Sequence, residues 1–310
     1  VSRALMIVIT GPTASGKSAL AVEVARRLDA DVISADSRQI YRDIPIVTAA
    51  PTVEEMGGVR HHLVGMLPLD AYYSASEFER DALTVAESLF SEGRPAVVCG
   101  GSMMYVDALC HGIDDLPTVP AELRASLMEE WRERGDDWLR LRLLALDPVH
   151  YAKVDLCNMK RVFHAVEISV TAGAPYSSLI TGERKKRPFD IIKVCLEGDR
   201  ERLFSRINAR VDNMMESGLE EEARRVYPLR HLNSLNTVGL KEMFAWFDGT
   251  FTKDEAVARM QKNTRVYAKK QLTWYKRDPG MTRLDFSDGT SANAAGIIGM
   301  VEDWKLRQKS

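Results

Sequence analysis

The chain opens on an unbroken apolar run, residues 5–9 (Leu-Met-Ile-Val-Ile), followed by a glycine-containing turn over residues 11–18. A short apolar run bounded by turn residues predicts a strand buried on both faces. Past the turn, Leu20, Ala21, Val24, Ala25 and Leu28 recur at the spacing of one helix face. Asp31 then opens a second short apolar run, residues 32–34, just before Asp36. Strand, helix and strand in this order predict a parallel sheet. Residues 95–99, ending at Gly100-Gly101, and residues 191–196 predict two more strands.

The texture changes between about Gly112 and Pro188, where strand-like runs vanish and charge rises. Residues 122–134 and 138–146 predict helices separated by Gly135, and residues 158–171 a third, stopped by Gly173 and Pro175. Residues 200–217 then predict a helix with Leu203, Ile207, Val211 and Met214 on one face and Gly218 at its end. Thr252, with Glu255 three residues on, is a capping-box pattern. It opens a long helix predicted to be the last, running to about Lys276 before Pro279-Gly280. The expected class is α/β, a parallel sheet flanked by helices over residues 1–112 and 189–310, with an all-helical insertion domain over residues 113–188.

Composition narrows the picture in a few places. The 310 residues are 45% hydrophobic and 28% charged, enough for a large core and unlike a disordered chain. A formal charge of −2 argues against a uniformly basic surface, although nucleic acid needs only a local basic patch. Cys99, Cys110, Cys157 and Cys195 form no C-x-x-C pair and have no histidine at zinc spacing, which points to reduced thiols in a cytoplasmic protein. No apolar run reaches the roughly 18 residues of a membrane span. The apolar start, Val1 to Thr10, lacks a small-residue cleavage site and reads as a first strand, not a signal peptide.

Gly11-Pro12-Thr13-Ala14-Ser15-Gly16-Lys17-Ser18 fits G-x-x-x-x-G-K-[ST] in a strand–loop–helix context. Such a loop turns backbone N–H groups onto a phosphate at a helix N-terminus. Lys17 would neutralise phosphate oxygens and Ser18 would reach a Mg²⁺ ion. The motif makes the sheet P-loop NTPase-like, with nucleotide and ATP binding among the expected properties, and it reports phosphates without naming the molecule that carries them. An ordinary ATPase would place an acid after a second strand to hold Mg²⁺, but residues 95–99 end in glycines and Asp36 is the nearest acid. Two classes stay open from the loop alone: a phosphoryl transferase, and an enzyme that grips a diphosphate leaving group.

The loop, together with Ser34-Ala35-Asp36-Ser37-Arg38-Gln39-Ile40-Tyr41 and Gly100-Gly101-Ser102-Met103-Met104-Tyr105, resembles the bacterial tRNA dimethylallyltransferases. Asp147-Pro148, Gly218-Leu219-Glu220, Val238-Gly239 with Lys241-Glu242, and Lys270-Gln271 with Trp274 extend the match in order over nearly the whole chain. The resemblance implies transfer of a dimethylallyl group from dimethylallyl diphosphate to N6 of the adenosine 3′ to the anticodon, with Mg²⁺ assisting. It implies Asp36 as general base, since the amine must lose a proton as it attacks. It implies Lys17 and the loop as the diphosphate cradle; Arg210, on the helix after residues 191–196, is a candidate diphosphate clamp, with Arg206 the alternative one turn earlier.

By the same resemblance Asp36, Ser37, Arg38 and Gln39 meet the target base and Ser102 lies near the reacting groups. Arg124, Lys160, Arg161 and His164 of the insert face the tRNA anticodon stem-loop. Ser102 replaces a common threonine, and His164 and Leu240 replace a common arginine and tyrosine. Arg184-Lys185-Lys186-Arg187 and the series Lys262, Arg265, Lys269 and Lys276 are further candidates for phosphate contact. Adjacent His61-His62 reads as structural, because neighbours on an extended segment point to opposite sides. The expected partners are tRNA and dimethylallyl diphosphate, with no membrane, and the expected state is a monomer. The rival readings are an adenine-nucleotide prenyltransferase, a small-molecule kinase and a non-enzymatic RNA-binding module.

Overall fold

The computed structural model describes residues 3–309, so Val1 and Ser2 of the predicted first strand lie outside the described residues. In chain order the first elements are β1 (Leu5–Thr10), α1 (Lys17–Leu28), β2 (Asp31–Ser34), α2 (Pro45–Thr48), α3 (Val53–Met56), β3 (His61–His62), α4 (Ala75–Ser91), β4 (Ala96–Cys99) and α5 (Met103–His111). The helices α6 (Ala121–Leu146), α7 (Pro148–Tyr151), α8 (Met159–Ala172) and α9 (Tyr176–Leu179) follow. Then come β5 (Asp190–Glu197), α10 (Arg200–Glu216), α11 (Leu219–Val226), α12 (Leu240–Phe247), α13 (Lys253–Tyr275), β6 (Met281–Asp285) and α14 (Thr290–Arg307). Two compact units result, one ending at His111 and resuming at Lys186, the other Gly112–Lys185.

The first unit holds a six-stranded sheet in the order β3-β2-β4-β1-β5-β6, with every pairing parallel. The continuous apolar run of β1 serves both faces. Leu5, Ile7 and Ile9 pack with α1 and α14, while Met6 and Val8 pack with α4 and α5. On the second face Phe78 lies fully buried and stacks on Tyr105 with centroids 4.3 Å apart. A third apolar cluster joins α2 to α10, α11, α12 and α13 beyond the strand ends.

Three predictions need correction here. The helix that Thr252 caps is not the last: α14 follows, its apolar positions diluted by glycine and alanine. The strands β3 and β6 were not predicted, because one is two residues long and the other carries Thr, Arg and Asp at the sheet edge. Arg187 is not free for RNA. It is buried against Glu79 at 2.6 Å and donates to the carbonyls of Ala108 and Leu109. His61-His62 forms β3, where His62 Nε2 meets Asp31 Oδ2 at 2.8 Å and His61 bonds the Val59 carbonyl.

The second unit is helical, with Leu127, Leu139, Leu143, Phe163 and Val166 in its core. Gly135 breaks α6 into two segments at φ 81°, a left-handed conformation that glycine adopts without a Cβ clash. Asn158 caps α8 and Gly173 ends it in the left-handed region. Asp147 lies fully buried yet satisfied, taking N–H groups from His150 and Ser177 and the Ser177 hydroxyl.

Candidate active site

The site forms where β1, β2 and β4 end. The central strand β1 feeds the loop from Gly11 to Ser18 and the N-terminus of α1. Gly11 has φ 148°, and a Cβ there would come within 2.8 Å of the Leu196 carbonyl. Gly16 and Ala14 are left-handed, at φ 93° and 64°. The non-glycine conformation at Ala14 is held against a steric cost, as at many ligand-binding loops. Ser15 Oγ is buried and has no hydrogen-bond partner among the described residues. A buried, unmet hydroxyl inside a phosphate-type loop is the chemistry a ligand oxygen would satisfy.

Two cations converge on this loop. Among the described residues Lys17 Nζ donates to the Pro12 carbonyl alone, at 3.3 Å. Burial lowers the pKa of Lys17, with Cys99 and Asp36 pulling upward and Arg210 adding to the fall. Arg210 is likewise lowered by burial, against the pull of Asp36 and Glu55. Neither is in an ion pair among the described residues, so the site holds excess desolvated positive charge that an anion would relieve. Arg206 behaves differently. Its guanidinium donates to the Ser15 carbonyl at 3.4 Å and lies over the Phe286 ring, so it supports the loop from outside the cavity. Burial pushes the Cys99 thiol up to about 11, which keeps it neutral despite Lys17 nearby.

Asp36 follows β2 in a tight turn. Its Oδ1 accepts the N–H groups of Arg38 at 2.9 Å and Gln39 at 3.3 Å, while Oδ2 makes no hydrogen bond among the described residues. The turn is fastened from the β4 side. Gly100 passes so close to Ala35 that any Cβ would run into its backbone. Ser102 Oγ accepts the Ser37 N–H at 2.8 Å and donates to Ser37 Oγ at 3.2 Å. Gln39 commits both ends of its amide internally, to Ser34 and to the carbonyls of Thr48 and Ala49. Arg38 donates to the carbonyls of Asn233, Ser234 and Asn236, which draws the segment before α12 to the site.

A cavity of about 330 Å³ opens between these parts, lined by Thr13, Asp36, Ser37, Arg38 and Arg210 on its polar side. Val47, Val211, Met214, Val238 and Met260 supply an apolar wall. The structure therefore brings together Asp36, Ser37, Arg38 and Arg210, while Gln39 and Ser102 brace the walls from behind. Sequence reading predicted α13 but missed that its Met260, Thr264 and Tyr267 line the cavity. It gave no role to Gln271, which accepts the Thr13 N–H at 3.0 Å and donates to the Gly101 carbonyl at 2.9 Å. The one available signal was spacing: residues 260, 264, 267 and 271 share a helix face. Of the basic series on that helix, Arg265 and Lys269 lie over the Phe204 ring of α10, and Lys262 and Lys276 are exposed.

In the helical unit, Lys160 and Arg161 are exposed in the first turn of α8. Arg124 and His164 meet on buried Glu167, at 3.6 and 3.0 Å. Among the described residues no helix is long and apolar enough to cross a membrane.

A model of the IPP transferase family matches residues 39–278. The chain is 53% identical over 277 residues to tRNA dimethylallyltransferase 2 of Parabacteroides distasonis, covering 89% of this chain and 93% of the relative. It is 41% identical to tRNA dimethylallyltransferase of Christiangramia forsetii, covering 96% and 97%. Among solved structures, the tRNA isopentenylpyrophosphate transferase of Bacillus halodurans superposes with a TM-score of 0.72 at 32% identity, covering 98% of this chain and 99% of that one. A eukaryotic dimethylallyltransferase acting on tRNA gives a TM-score of 0.78 at 26% identity, covering 91% and 74%.

Proposed function

The chain belongs to the IPP transferase family and is an enzyme that transfers a dimethylallyl group from dimethylallyl diphosphate to tRNA, and we propose that the acceptor is N6 of the adenosine 3′ to the anticodon. The observation that carries the site assignment is one cavity walled by Thr13 of the glycine loop, Asp36 and Arg210. Diphosphate takes the loop, in the manner of a P-loop NTPase core. The dimethylallyl group points along the apolar wall, and the adenine, extruded from its stack, presents N6 to Asp36. Oδ2 of Asp36 has no other hydrogen bond among the described residues and is the oxygen that accepts the N6 proton.

The reaction balances on these groups. The N6 lone pair forms a bond to C1 of the allyl group, the C1–O bond breaks, and its electron pair leaves with diphosphate. The N6 proton passes to Asp36. Lys17, Arg210 and the loop amides are fixed before reaction and take up the charge that grows on the leaving oxygen. Their lowered pKa values express the cost of burial, which an anion repays. Ser18, exposed at the start of α1, is the residue that would hold Mg²⁺. A single hydroxyl fits an ion that takes most of its ligands from phosphate and water, and the unmet Ser15 hydroxyl fits a bound phosphate. Bound there, Mg²⁺ would supply further neutralisation of the diphosphate.

Lys160, Arg161, Arg124 and His164 are proposed to contact the anticodon arm through phosphates, which positions the RNA without reading its sequence. The working unit is proposed to be a monomer in the cytoplasm. The test supplies labelled dimethylallyl diphosphate and Mg²⁺ with unmodified tRNA or with AMP. Label on the adenosine 3′ to the anticodon is the expected result. Label on AMP alone would overturn the choice of acceptor.

A further inference from the structure

We propose that Tyr267 is the platform on which the extruded adenine stacks, a positioning residue for the acceptor base. The argument rests on the reading of the cavity as the transfer site.

Tyr267 lies on the cavity-facing stripe of α13, one turn after Thr264 and one turn before Gln271. Gln271 reaches Thr13 on the phosphate loop and Gly101 beside the Asp36 turn. The ring thus sits on the cavity wall that joins the diphosphate end to the proton-accepting end. Its surroundings leave it available. It is 37% exposed at the open side, and among the described residues it has no hydrogen bond and no ring partner. Most other aromatic side chains of this unit are buried or paired with another ring, as Phe78 with Tyr105 and Tyr227 with Phe244.

An aromatic face at the mouth of a cavity is the usual partner of an unstacked base, because every base offers a π face. Asp36 supplies the hydrogen-bond partner at the purine edge, and Tyr267 supplies the plane that sets the angle of approach. The phenol does not take part in proton transfer. The part of the side chain that packs into α13's surroundings is desolvated, and this, with the charge of Asp36, pushes its pKa up to about 12, so it stays neutral throughout the working range.

The experiment uses the full chain with a tRNA stem-loop. Tyr267→Leu should raise KM for the stem-loop about ten- to hundredfold, the range that loss of one base–aromatic stack implies. KM for dimethylallyl diphosphate should stay within about twofold and thermal stability should be unchanged. Tyr267→Phe should restore the stem-loop KM, since the ring and not the hydroxyl is used. A stem-loop with 2-aminopurine at the target position gives a direct reading: its fluorescence in the complex should be quenched by the wild type and bright with Tyr267→Leu. Equal quenching by both proteins, or an unchanged stem-loop KM, overturns the proposal. So does a loss confined to the single-turnover rate at saturating stem-loop, which would assign the ring to the allyl group. A wild type that binds the stem-loop but transfers nothing to it would instead count against the cavity as the transfer site.

Discussion

Gln271 holds Thr13 in place across 258 positions of sequence, its side-chain oxygen accepting the Thr13 N–H at 3.0 Å. The amide nitrogen bonds the Gly101 carbonyl, so one buried side chain ties the phosphate loop to the turn after β4. Gln271→Leu keeps the volume and removes both bonds, leaving a buried donor and a buried acceptor unmet. The expected cost is about 1–3 kcal/mol of stability, with a raised KM for dimethylallyl diphosphate because Thr13 is released. Denaturant unfolding and steady-state kinetics check the two parts. Lost stability with an unchanged donor KM would reduce Gln271 to a structural clip.

Asp36 holds its turn with Oδ1 and is proposed to take the N6 proton with Oδ2, and substitution separates the two. Asn at this position retains an acceptor for the Arg38 N–H, so the turn should persist. It lacks a basic oxygen for the N6 proton. Asp36→Asn should therefore slow single-turnover transfer by roughly 10²–10⁴-fold, the usual range for a general base, while tRNA affinity holds. Asp36→Ala should lose the turn as well and weaken tRNA binding. An undiminished rate in the Asn variant would remove Asp36 as the base.

Arg210 and Arg206 could not be told apart on the sequence, since both follow the same strand one turn apart. Folding separates them: Arg210 lines the cavity, and Arg206 packs on Phe286 behind the loop. Arg210→Gln should raise KM for dimethylallyl diphosphate and slow transfer at least about tenfold, in line with the loss of one charged transition-state contact. Arg206→Gln should cost much less in rate and show mainly as lower stability. The reverse ranking, measured in parallel, would move the clamp to Arg206.

The same contrast explains what was legible in the sequence. Local signals came through: the strand–loop–helix at Gly11–Ser18, the cap at Thr252, the stop at Gly218 and the break at Gly135 each depend on a few consecutive residues. Relations between distant residues did not. The pairing of Arg187 with Glu79 spans 108 positions, and nothing in Arg184-Lys185-Lys186-Arg187 marks one member as buried. Edge strand β6 has no continuous apolar run because only part of it faces the core. Tyr267 and Thr264 carry no motif, and only the packing of α13 across the strand ends puts them at the cavity.

Asp147 provides a test within the helical unit, where its carboxylate joins α7 to α9. Burial pushes its pKa up, but the backbone N–H groups of His150 and Ser177 and the Ser177 hydroxyl outweigh it and hold the pKa below the usual 3.8. A carboxylate held below its unfolded value stabilises the folded state fully above that value and loses the contribution as pH falls through the folded one. The stability difference between wild type and Asp147→Asn should thus be level from about pH 7 to pH 5 and shrink below about pH 4. Asn can accept only part of the set and turns an NH₂ toward a donor, so the plateau should be about 1–3 kcal/mol. Hydrogen exchange at the His150 and Ser177 amides reads this locally, without requiring the whole chain to unfold in one step. Exchange there should accelerate in the variant at neutral pH, and the two proteins should converge in acid. A difference that persists unchanged into acid would mean that packing, and not the ionised carboxylate, secures the junction.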